Sequence, residues 1–435
     1  MCDEPLAYRL SLNNKHESVA STIATMEAGE AVATTIAREF ALIGDIVSVR
    51  SYGNGHINDT YLVETATTAN DMTTTTTAND KNTPNIDEQR WYILQRINSN
   101  VFPQPDLVMS NVIRVCDHIR YKLLEANTDV FDVSIDRRSL RLVPTYPYGE
   151  LYHIDNKTKT TSTKTTTDKD DSRWRCYHFI ANATGHEIVS SIEQARSAGR
   201  AYGTFASLLS DLPGQRLHET IPNFHNTPYR LEQLQIAISN NTRNRVQFVK
   251  QEIEFVFARE CDVSILVDAI RDGLIPERVT HNDAKLGNVL LDNTTNESVC
   301  IVDLDTVMPG TILYDFGDLV RTLTSPVAED EIDLSKVTMQ LPYYKALLEG
   351  YLESTRDFLT SQEKSLLAFA GKLVTLEIGI RFLTDYINGD VYFKIDRLEH
   401  NLHRARAQFQ LVESIEEQMT NMQALVDGAQ GTASL

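Results

Sequence analysis

A polar segment in the second half of the chain, Thr-His-Asn-Asp-Ala-Lys-Leu-Gly-Asn at residues 280–288, has side chains suited to phosphoryl transfer. Its spacing follows the kinase catalytic-loop pattern H-x-D-x-K-x-x-N. Phosphoryl transfer depends on a carboxylate that orients and deprotonates the acceptor hydroxyl, on oxygen ligands for Mg²⁺ and on a cation near the transferred phosphate. The segment therefore predicts Asp283 as the catalytic base, Lys285 as the cation and Asn288 as a metal ligand.

A second acidic position follows this loop. Asp303 lies 20 residues after Asp283 and directly after an apolar, strand-like segment, so we assign it as the other metal ligand. The later triplet Asp-Phe-Gly at residues 315–317 resembles the metal motif of protein kinases, but its Asp is 32 residues from Asp283. We expect Asp315 and Asp318 instead to hydrogen-bond the catalytic loop or to cap the next helix.

Each of these residues has a simpler explanation when it is considered alone. Asp283 and Asn288 are common residues of turns, and Asp303 with Asp305 could merely end a strand. Four residue types in the register of one catalytic motif argue against that explanation. We therefore interpret the segment as catalytic.

Residues 51–61 (Ser-Tyr-Gly-Asn-Gly-His-Ile-Asn-Asp-Thr-Tyr) lie between two predicted strands. Gly53 and Gly55 let backbone N–H groups approach an anion, so this turn is suited to lie over the phosphates of ATP. A G-x-G hairpin is usually only a tight turn, which makes the pattern weak evidence alone. A dinucleotide-binding motif is excluded because a strand follows, and the sequence has no G-x-x-x-x-G-K-[ST] phosphate loop.

The phosphate-binding lysine that kinases usually carry on their third strand is missing. The segment Trp91–Arg96 offers only Gln95 or Arg96 at this place. The helix that follows has no Glu before Glu125, so the usual Lys–Glu ion pair has no obvious members. We keep Gln95 and Arg96 as candidates for binding the nucleotide.

The surrounding segments indicate an α+β protein whose sheet precedes its helices. Short segments rich in Val, Ile, Tyr and Trp predict strands at Ile46–Tyr52, Thr60–Glu64, Trp91–Ile97, Ser139–Thr145 and Arg175–Ile180. Residues 65–90 and 155–173 are rich in Thr, Asn, Asp and Lys and cannot bury a core face, so we expect enlarged hairpin loops of one antiparallel sheet. Apolar spacing over Asp106–Leu124 predicts a helix between the third and fourth strands.

After about residue 181 the pattern is helical. Apolar residues at helical spacing predict helices that start near Ile192 and at Arg243–Arg259, Val263–Arg271, Leu341–Thr355, Gln362–Asn388 and Leu398–Gly428. Short strands are predicted at Val289–Leu291 and Val299–Leu304. We divide the chain into an N-terminal extension (residues 1–36), a nucleotide-binding lobe (residues 37–180) and a catalytic and substrate-binding lobe (residues 181–435).

Composition excludes several classes of protein. With 435 residues, 42% of them hydrophobic, the chain can bury a sizeable core, and its formal net charge of −19 disfavours nucleic acid or an anionic membrane as a partner. The five cysteines stand far apart without zinc-site spacing, so we expect reduced thiols. No secretory signal and no apolar run of about 18 residues is visible. We expect a cytoplasmic monomer.

The motifs together resemble those of the N-acetylhexosamine 1-kinases, within the aminoglycoside phosphotransferase and choline kinase-like group. The resemblance covers residues 37–425 except for the two Thr-rich stretches. Its marks are YGNGHIN at 52–58, YILQRIN at 92–98, THNDAKLGN at 280–288, DLDTVMPG at 303–310, DFGD at 315–318 and RFLTDY at 381–386. The catalytic loop alone would indicate only the wider group. The resemblance extends to the missing third-strand lysine.

This resemblance implies a bilobal, protein-kinase-like fold with an antiparallel sheet lobe and a larger helical lobe. It implies Mg²⁺ and ATP as cofactors and transfer of phosphate to the anomeric hydroxyl of GlcNAc or GalNAc, with Asp283 against that hydroxyl. By position in the matching motifs, Asn58 would join the nucleotide site. His56, Arg381 and Tyr392 would hold the sugar, although a turn histidine and a core aromatic are the simpler explanations for His56 and Tyr392.

Glu377, Arg381 and Asp385 recur at helical spacing on an otherwise apolar helix. A surface salt-bridge ladder would have this spacing. Because the helix is apolar on most faces, we expect the stripe to face a polar ligand pocket. Alternative functions are a kinase for choline, homoserine or an aminoglycoside and an inactive nucleotide-binding scaffold. Arg381 disfavours a cationic acceptor, and the complete catalytic loop disfavours the scaffold.

Overall fold

The computed structural model describes residues 26–53, 57–67, 89–126, 134–156 and 171–431. The chain forms two compact units, each described here by itself. The sheet unit comprises the described residues up to Asp106 and those of Arg141–Phe179, and the helical unit comprises the described residues of Leu107–Leu140 and those from Ile180 onward. The described residues of 107–140 thus group with the helical unit, although the sequence predicts them in the nucleotide-binding lobe.

The sheet unit is built on five antiparallel strands in the order β1-β2-β3-β5-β4. These strands are β1 (Asp45–Ser51), β2 (Asp59–Ala66), β3 (Gln89–Arg96), β4 (His153–Asp155) and β5 (Ser172–His178). β2 pairs with β3 and β4 pairs with β5, so the two Thr-rich stretches connect antiparallel neighbours as predicted. Most of each stretch lies outside the described residues. Val63, Tyr92, Leu94 and Trp174 form the buried core of the unit.

A helix over residues 26–37, α1, packs into the same core. Its Ala33, Ile36 and Ala37 are buried together with Val63 and Tyr92 of the sheet. The sequence predicts an extension at residues 1–36, whereas the described residues 26–36 belong to this packed helix. Small residues and threonines dominate this segment, so its apolar stripe is weak in the sequence although its packing is tight.

The predicted strand Ser139–Thr145 is wrong. This segment makes only two isolated bridges, Phe40 with Thr145 and Leu142 with Tyr177, and the fourth strand is β4 further along the chain. Pro144 explains the difference, because proline has no backbone N–H to donate to a ladder.

The helical unit has one continuous core cluster. Its helices are α2 (Pro105–Ala126), α3 (Ser134–Arg138), α4 (Ile192–Leu208), α5 (Thr227–Asn240), α6 (Lys250–Phe257), α7 (Ile265–Arg271), α8 (Ile312–Leu323), α9 (Leu341–Thr355), α10 (Ser361–Ser365), α11 (Leu367–Asn388) and α12 (His400–Gly431). Its short strands are β6 (Ala183–Thr184), β7 (Arg278–Thr280), β8 (Val289–Asp292), β9 (Ser298–Ile301) and β10 (Met308–Gly310). β7 and β10 pair antiparallel, and they frame the polar segment that carries the predicted chemistry.

Several helices depart from the prediction. The predicted helix Arg243–Arg259 is a short 3-10 turn followed by α6, and Gln362–Asn388 is divided into α10 and α11. α5 and α8 were not predicted. α5 has a narrow apolar stripe, whereas α8 is buried over almost its whole length yet carries Asp315, Asp318 and Arg321. The apolar residues of α8 nevertheless recur at helical spacing, so the sequence carried a signal for this helix that the prediction overlooked (Ile312, Leu313, Phe316, Leu319, Val320 and Leu323).

No helix of the described part of the chain is long and apolar enough to cross a bilayer. Cys116, Cys176 and Cys300 are buried free thiols, and Cys261 is an exposed one. Three of these four thiols are buried, their reduced state stays a prediction, and Cys2 lies outside the described residues.

Candidate active site

The catalytic loop starts where β7 ends and turns sharply at Asn282, whose φ of 64° lies in the left-handed region. Asn is one of the few residues that tolerate this region. Its amide nitrogen donates to the carbonyls of Thr280 and Thr306 at 3.1 and 3.0 Å, and its Oδ1 accepts from the Thr280 hydroxyl at 3.0 Å. A Cβ on Gly310 would lie 2.5 Å from that hydroxyl oxygen, so only glycine fits there. These contacts hold the turn that presents Asp283.

Asp315 in α8 holds the loop through both oxygens of its carboxylate. Oδ2 accepts the backbone N–H of His281 at 2.8 Å, and Oδ1 accepts that of Asn282 at 2.7 Å. Burial raises the pKa of Asp315, although these hydrogen bonds and His281 favour its ionised form. The expectation that Asp315 supports the loop is confirmed. The same expectation for Asp318 is wrong. Its carboxylate accepts a hydrogen bond from Arg321 within α8, and no hydrogen bond among the described residues joins that carboxylate to the loop or to a helix end.

Asp283, Lys285 and Asn288 lie together as predicted. Lys285 Nζ is 3.1 Å from Asp283 Oδ2, and the amide of Asn288 donates to the same oxygen at 3.0 Å. Burial by itself would raise the pKa of Asp283, but the charges of Lys285 and His281 outweigh it and hold that pKa below its ordinary value. The charge of Asp283 in turn raises the pKa of Lys285. The loop therefore presents an ionised carboxylate beside a cation, and both side chains remain partly open to solvent.

Asp303 lies after β9 in a second left-handed turn, with a φ of 62°. The backbone N–H of Val302 donates to the carbonyl of Asn288 at 3.0 Å, which ties this turn to the catalytic loop. Asp303 is exposed to solvent, but protein atoms surround its carboxylate on the other sides. The partial loss of hydration, together with the charges of Asp305 and Asp283, raises the pKa of Asp303 to about 6. Carboxylates that repel one another in this way favour a bound cation.

The residues present fit a magnesium ion. Mg²⁺ prefers oxygen ligands and is usually held by one or two carboxylates, with water and phosphate oxygens in the other positions. Asn288 uses its amide nitrogen on Asp283, which leaves its side-chain oxygen for a cation, and Asp303 supplies a carboxylate. The described residues contain no group of three or more His, Cys, Asp or Glu side chains arranged for a metal. Asn288 and Asp303 would therefore supply only two of the ligands of the ion, and phosphate oxygens would supply others.

The predicted phosphate turn lies in the sheet unit and is only partly described. Gly53 has a φ of 73°, and a Cβ there would meet nothing within 4 Å, so glycine is required by the backbone conformation. Gly55 and His56 lie outside the described residues. The side-chain oxygen of Asn58 accepts the backbone N–H of Asn98 at 3.0 Å, which joins the base of the turn to the chain after β3.

Both candidates for replacing the third-strand lysine are engaged within the sheet. Arg96 pairs with Asp59, and the side chain of Gln95 donates to Thr60 at 3.1 Å. The oxygen of Gln95 accepts two hydrogen bonds from Arg175, at 3.0 and 2.9 Å. Arg175 is opposite Gln95 on β5 and is 1% exposed. The sequence alone does not indicate that Arg175 lies beside Gln95, because this depends on the pairing of β3 with β5.

Arg381 and Tyr392 line one cavity of about 180 Å³ in the helical unit, and Arg230 lines it with them. The guanidinium of Arg381 lies over the rings of Phe224 and Phe393, at 4.9 and 5.6 Å from their centroids. Burial and the neighbouring charge of Arg381 lower the pKa of Arg230. Within the described residues, neither guanidinium has a carboxylate at ion-pair distance. Arg230 was not predicted, since nothing in the sequence links α5 to α11.

The polar stripe of α11 has more than one role. Arg381 and Asp385 line the cavity, as expected for a ligand pocket. The carboxylate of Asp385 is already occupied, because it accepts the backbone N–H groups of residues 391–393, each at 2.9 Å. Glu377 is not among the residues that line the cavity, and its carboxylate contacts His225. His225 belongs to no motif in the sequence, so the sequence did not indicate a role for it.

A sheet unit, a helical unit and a loop that holds Asp283, Lys285 and Asn288, followed by Asp303, are the features expected of a kinase-like phosphotransferase. Residues 163–353 match the model of the "Phosphotransferase enzyme family", APH. The matched region contains the whole catalytic loop and Asp303. This part of the chain is therefore similar to that family.

Solved structures of kinases share the fold across most of the chain. A microcompartment-associated aminopropanol kinase is 13% identical with a TM-score of 0.51, over 90% of this chain and 98% of that chain. An amicoumacin kinase in complex with AMP-PNP and Ca²⁺ is 13% identical with a TM-score of 0.51, over 89% and 93%. An aminoglycoside phosphotransferase from Alicyclobacillus acidocaldarius is 11% identical with a TM-score of 0.51, over 89% and 96%. The predicted fold class is confirmed.

Proposed function

We propose that this chain is an ATP-dependent kinase that phosphorylates a hydroxyl group of a small molecule. Its acceptor in this proposal is the anomeric hydroxyl of an N-acetylhexosamine, GlcNAc or GalNAc. The observation that carries the proposal is the hydrogen-bonded group of Asp283, Lys285 and Asn288, with distances of 3.1 and 3.0 Å, on a loop held from behind by Asp315. The family match over residues 163–353 supports the same chemistry.

The side chains would divide the reaction among them. Asp283 would accept a hydrogen bond from the acceptor hydroxyl and take its proton, and Lys285 would neutralise charge on the transferred phosphate. Asn288 and Asp303 would hold Mg²⁺, which when bound neutralises the phosphates of ATP. A carboxylate whose pKa is held low is a weak general base. We therefore assign to Asp283 chiefly the orientation of the hydroxyl, which suits a loose transition state that needs little activation of the nucleophile.

The cavity of Arg381 supports a neutral acceptor over a cationic one. Two guanidinium groups line it, and a choline or aminoglycoside cation there would meet like charge. Guanidinium groups are donors only, so they suit hydroxyl and acetamido oxygens. The carboxylate that also lines the cavity, that of Asp385, is already hydrogen-bonded to backbone N–H groups. These features favour a sugar.

A panel assay tests the proposal. ADP release should be measured with GlcNAc, GalNAc, glucose, choline and homoserine, and phosphorus NMR of the product should show the phosphate on C1. Asp283→Asn should lower kcat by about 10²–10⁴-fold while ATP still binds. If the wild-type protein releases no more ADP than Asp283→Asn with any of these acceptors, the proposed kinase activity is refuted. Phosphate on C6, or turnover with choline alone, would refute the sugar 1-kinase and leave the kinase.

The acceptor cavity has its own test. Arg381→Leu leaves sugar oxygens without donors and should raise the acceptor KM about 10- to 100-fold, equivalent to about 1–3 kcal/mol. The KM for ATP should stay near that of the wild type. Arg259→Leu is a matched control, because Arg259 also stacks on a phenylalanine ring, at 3.6 Å, but pairs with Glu416. Equal effects of the two substitutions on the acceptor KM would exclude a specific role for Arg381.

A further inference from the structure

A buried histidine just before α5 joins the catalytic loop to α11. Nδ1 of His225 lies 2.8 Å from Oε1 of Glu377, and its Nε2 lies 2.9 Å from the carbonyl oxygen of Asn282. The side chains of His225 and Glu377 are 3% and 1% exposed. Contacts this short between buried polar groups must be satisfied hydrogen bonds, because an unpaired group at such depth is costly.

The two contacts restrict where the protons lie. A carbonyl and an ionised carboxylate only accept hydrogen bonds, and a neutral imidazole has a single N–H. Both contacts are satisfied by an imidazolium beside ionised Glu377, or by a neutral ring beside protonated Glu377. In either arrangement Nε2 of His225 donates to Asn282. Burial lowers the pKa of His225, but the charge of Glu377 outweighs it and raises that pKa, which favours the imidazolium.

The imidazole and the carboxylate are both held in place by their neighbours. Tyr314 stacks on the ring with centroids 4.8 Å apart, and Phe224 meets it edge-on at 4.9 Å. The hydroxyl of Thr227 donates to the second oxygen of the carboxylate at 2.5 Å. Other charged groups that act on this pair are Asp315 and Asp318 on α8, Arg381 on α11 and Arg230 on α5.

The carbonyl that His225 holds is adjacent to the proposed base. The C=O of Asn282 and the N–H of Asp283 belong to one planar peptide group. The direction of that carbonyl therefore fixes the plane from which Asp283 extends. Asp315 fixes the two preceding N–H groups, those of His281 and Asn282, and His225 fixes the peptide that follows them. Together they keep a left-handed turn in place that would otherwise relax.

We propose that His225 and Glu377 are positioning residues for Asp283, which they orient through the peptide that joins it to Asn282. The proposal rests on the kinase activity proposed above. Arg381 lies one helical turn after Glu377, so the same pair also connects the acceptor cavity with the base. A displacement of about 1 Å in a reacting group costs on the order of 10²-fold in rate. Loss of the pair should therefore lower kcat and leave the KM for ATP unchanged.

Two substitutions of Glu377 separate positioning from packing. In Glu377→Gln, the amide nitrogen can donate to Nδ1 of a neutral His225 while its oxygen accepts from Thr227, so Nε2 still donates to Asn282. This variant should retain most of the wild-type kcat. Glu377→Leu removes the partner of Nδ1 and should lower kcat by about 10²-fold. His225→Phe should do the same.

A second buried histidine in the helical unit, which contacts a partly exposed carboxylate, provides the control. Nε2 of His400 lies 2.9 Å from Asp330, and its side chain is 2% exposed. His400→Phe should destabilise the protein as His225→Phe does, as judged by thermal unfolding, but should leave kcat near the wild-type value. Equal loss of kcat in both variants would show that only general destabilisation is involved and would overturn the proposal.

Nitrogen-15 NMR of the imidazole groups tests the geometry without any acceptor. The resonances of His225, assigned by their loss in His225→Phe, should show protons on both nitrogens in the wild type and on Nε2 alone in Glu377→Gln. If His225→Phe does not fold, the shift caused by Glu377→Gln makes the assignment and Glu377→Leu gives the kinetics. A wild-type ring without a proton on Nε2, or wild-type kcat in Glu377→Leu, overturns the proposal. If no acceptor is phosphorylated, the kinase function fails, and the NMR result still decides the orientation of the ring.

Discussion

Replacing Asp315 with Asn should separate the support of the catalytic loop from the stability of the fold. The carboxylate accepts two backbone N–H groups, at 2.8 and 2.7 Å, whereas an amide has one oxygen and would turn an NH₂ group towards one of these donors. An unpaired buried donor costs about 1–3 kcal/mol. Asn also removes a buried charge, which offsets part of that cost. We expect Asp315→Asn to lower the free energy of unfolding by at most about 1–3 kcal/mol at neutral pH.

The pH dependence of this difference follows from the direction of the shift. Burial raises the pKa of Asp315 in the folded protein. A raised carboxyl pKa contributes stability that is present below the unfolded pKa and is lost as pH rises through the folded pKa. The Asn variant lacks this titration. The stability of the wild type should therefore exceed that of the variant by more at acid pH than at neutral pH.

The activity of Asp315→Asn should fall much further than its stability. A loop released from one of its two N–H anchors displaces Asp283, and kcat should drop on the order of 10²-fold while the KM for ATP is unchanged. Urea unfolding at acid and neutral pH, with steady-state kinetics, measures both effects. Asp318→Asn is the control, because Asp318 is equally buried in α8 but pairs with Arg321. A kcat reduced no more than in the control, or a stability difference that grows with pH, would refute this account.

Three further substitutions test other parts of the site. Gly310→Ala places a methyl group 2.5 Å from the Thr280 hydroxyl, so we expect about 1–3 kcal/mol of destabilisation in urea unfolding, with lower kcat. Arg278→Leu leaves the fully buried Glu363 without its ion-pair partner, with only the backbone N–H of Thr360 still donating to it. The free energy of unfolding should fall by about 3–5 kcal/mol, whereas a loss below about 1 kcal/mol would show that this hydrogen bond is sufficient for the carboxylate. Asp303→Ala should abolish metal-dependent ATP binding in calorimetric titration, and unchanged affinity would move the metal to another carboxylate.

The sequence by itself was sufficient for the centre of the site and for the class of the fold. Asp283, Lys285 and Asn288 are close in the chain, and a loop of this length brings them within hydrogen-bonding distance once its turn is set. The strands β1, β2 and β3 and the long helices α9 and α11 followed from periods of two and 3.6 residues, because each buries one face or is apolar throughout. The prediction of a strand at Ser139–Thr145 was wrong because it gave more weight to the apolar residues of this segment than to Pro144, which has no N–H to donate to a sheet.

Only the tertiary structure decided which distant residues act on that centre. His225 reaches Asn282 across 57 residues and Glu377 across 152, and no local pattern encodes such contacts. The same holds for Arg230, which joins Arg381 at the cavity. Local spacing determines what neighbours along a chain can do. The orientation of a catalytic carboxylate depends on buried hydrogen bonds, whose partners are selected only when distant segments pack together.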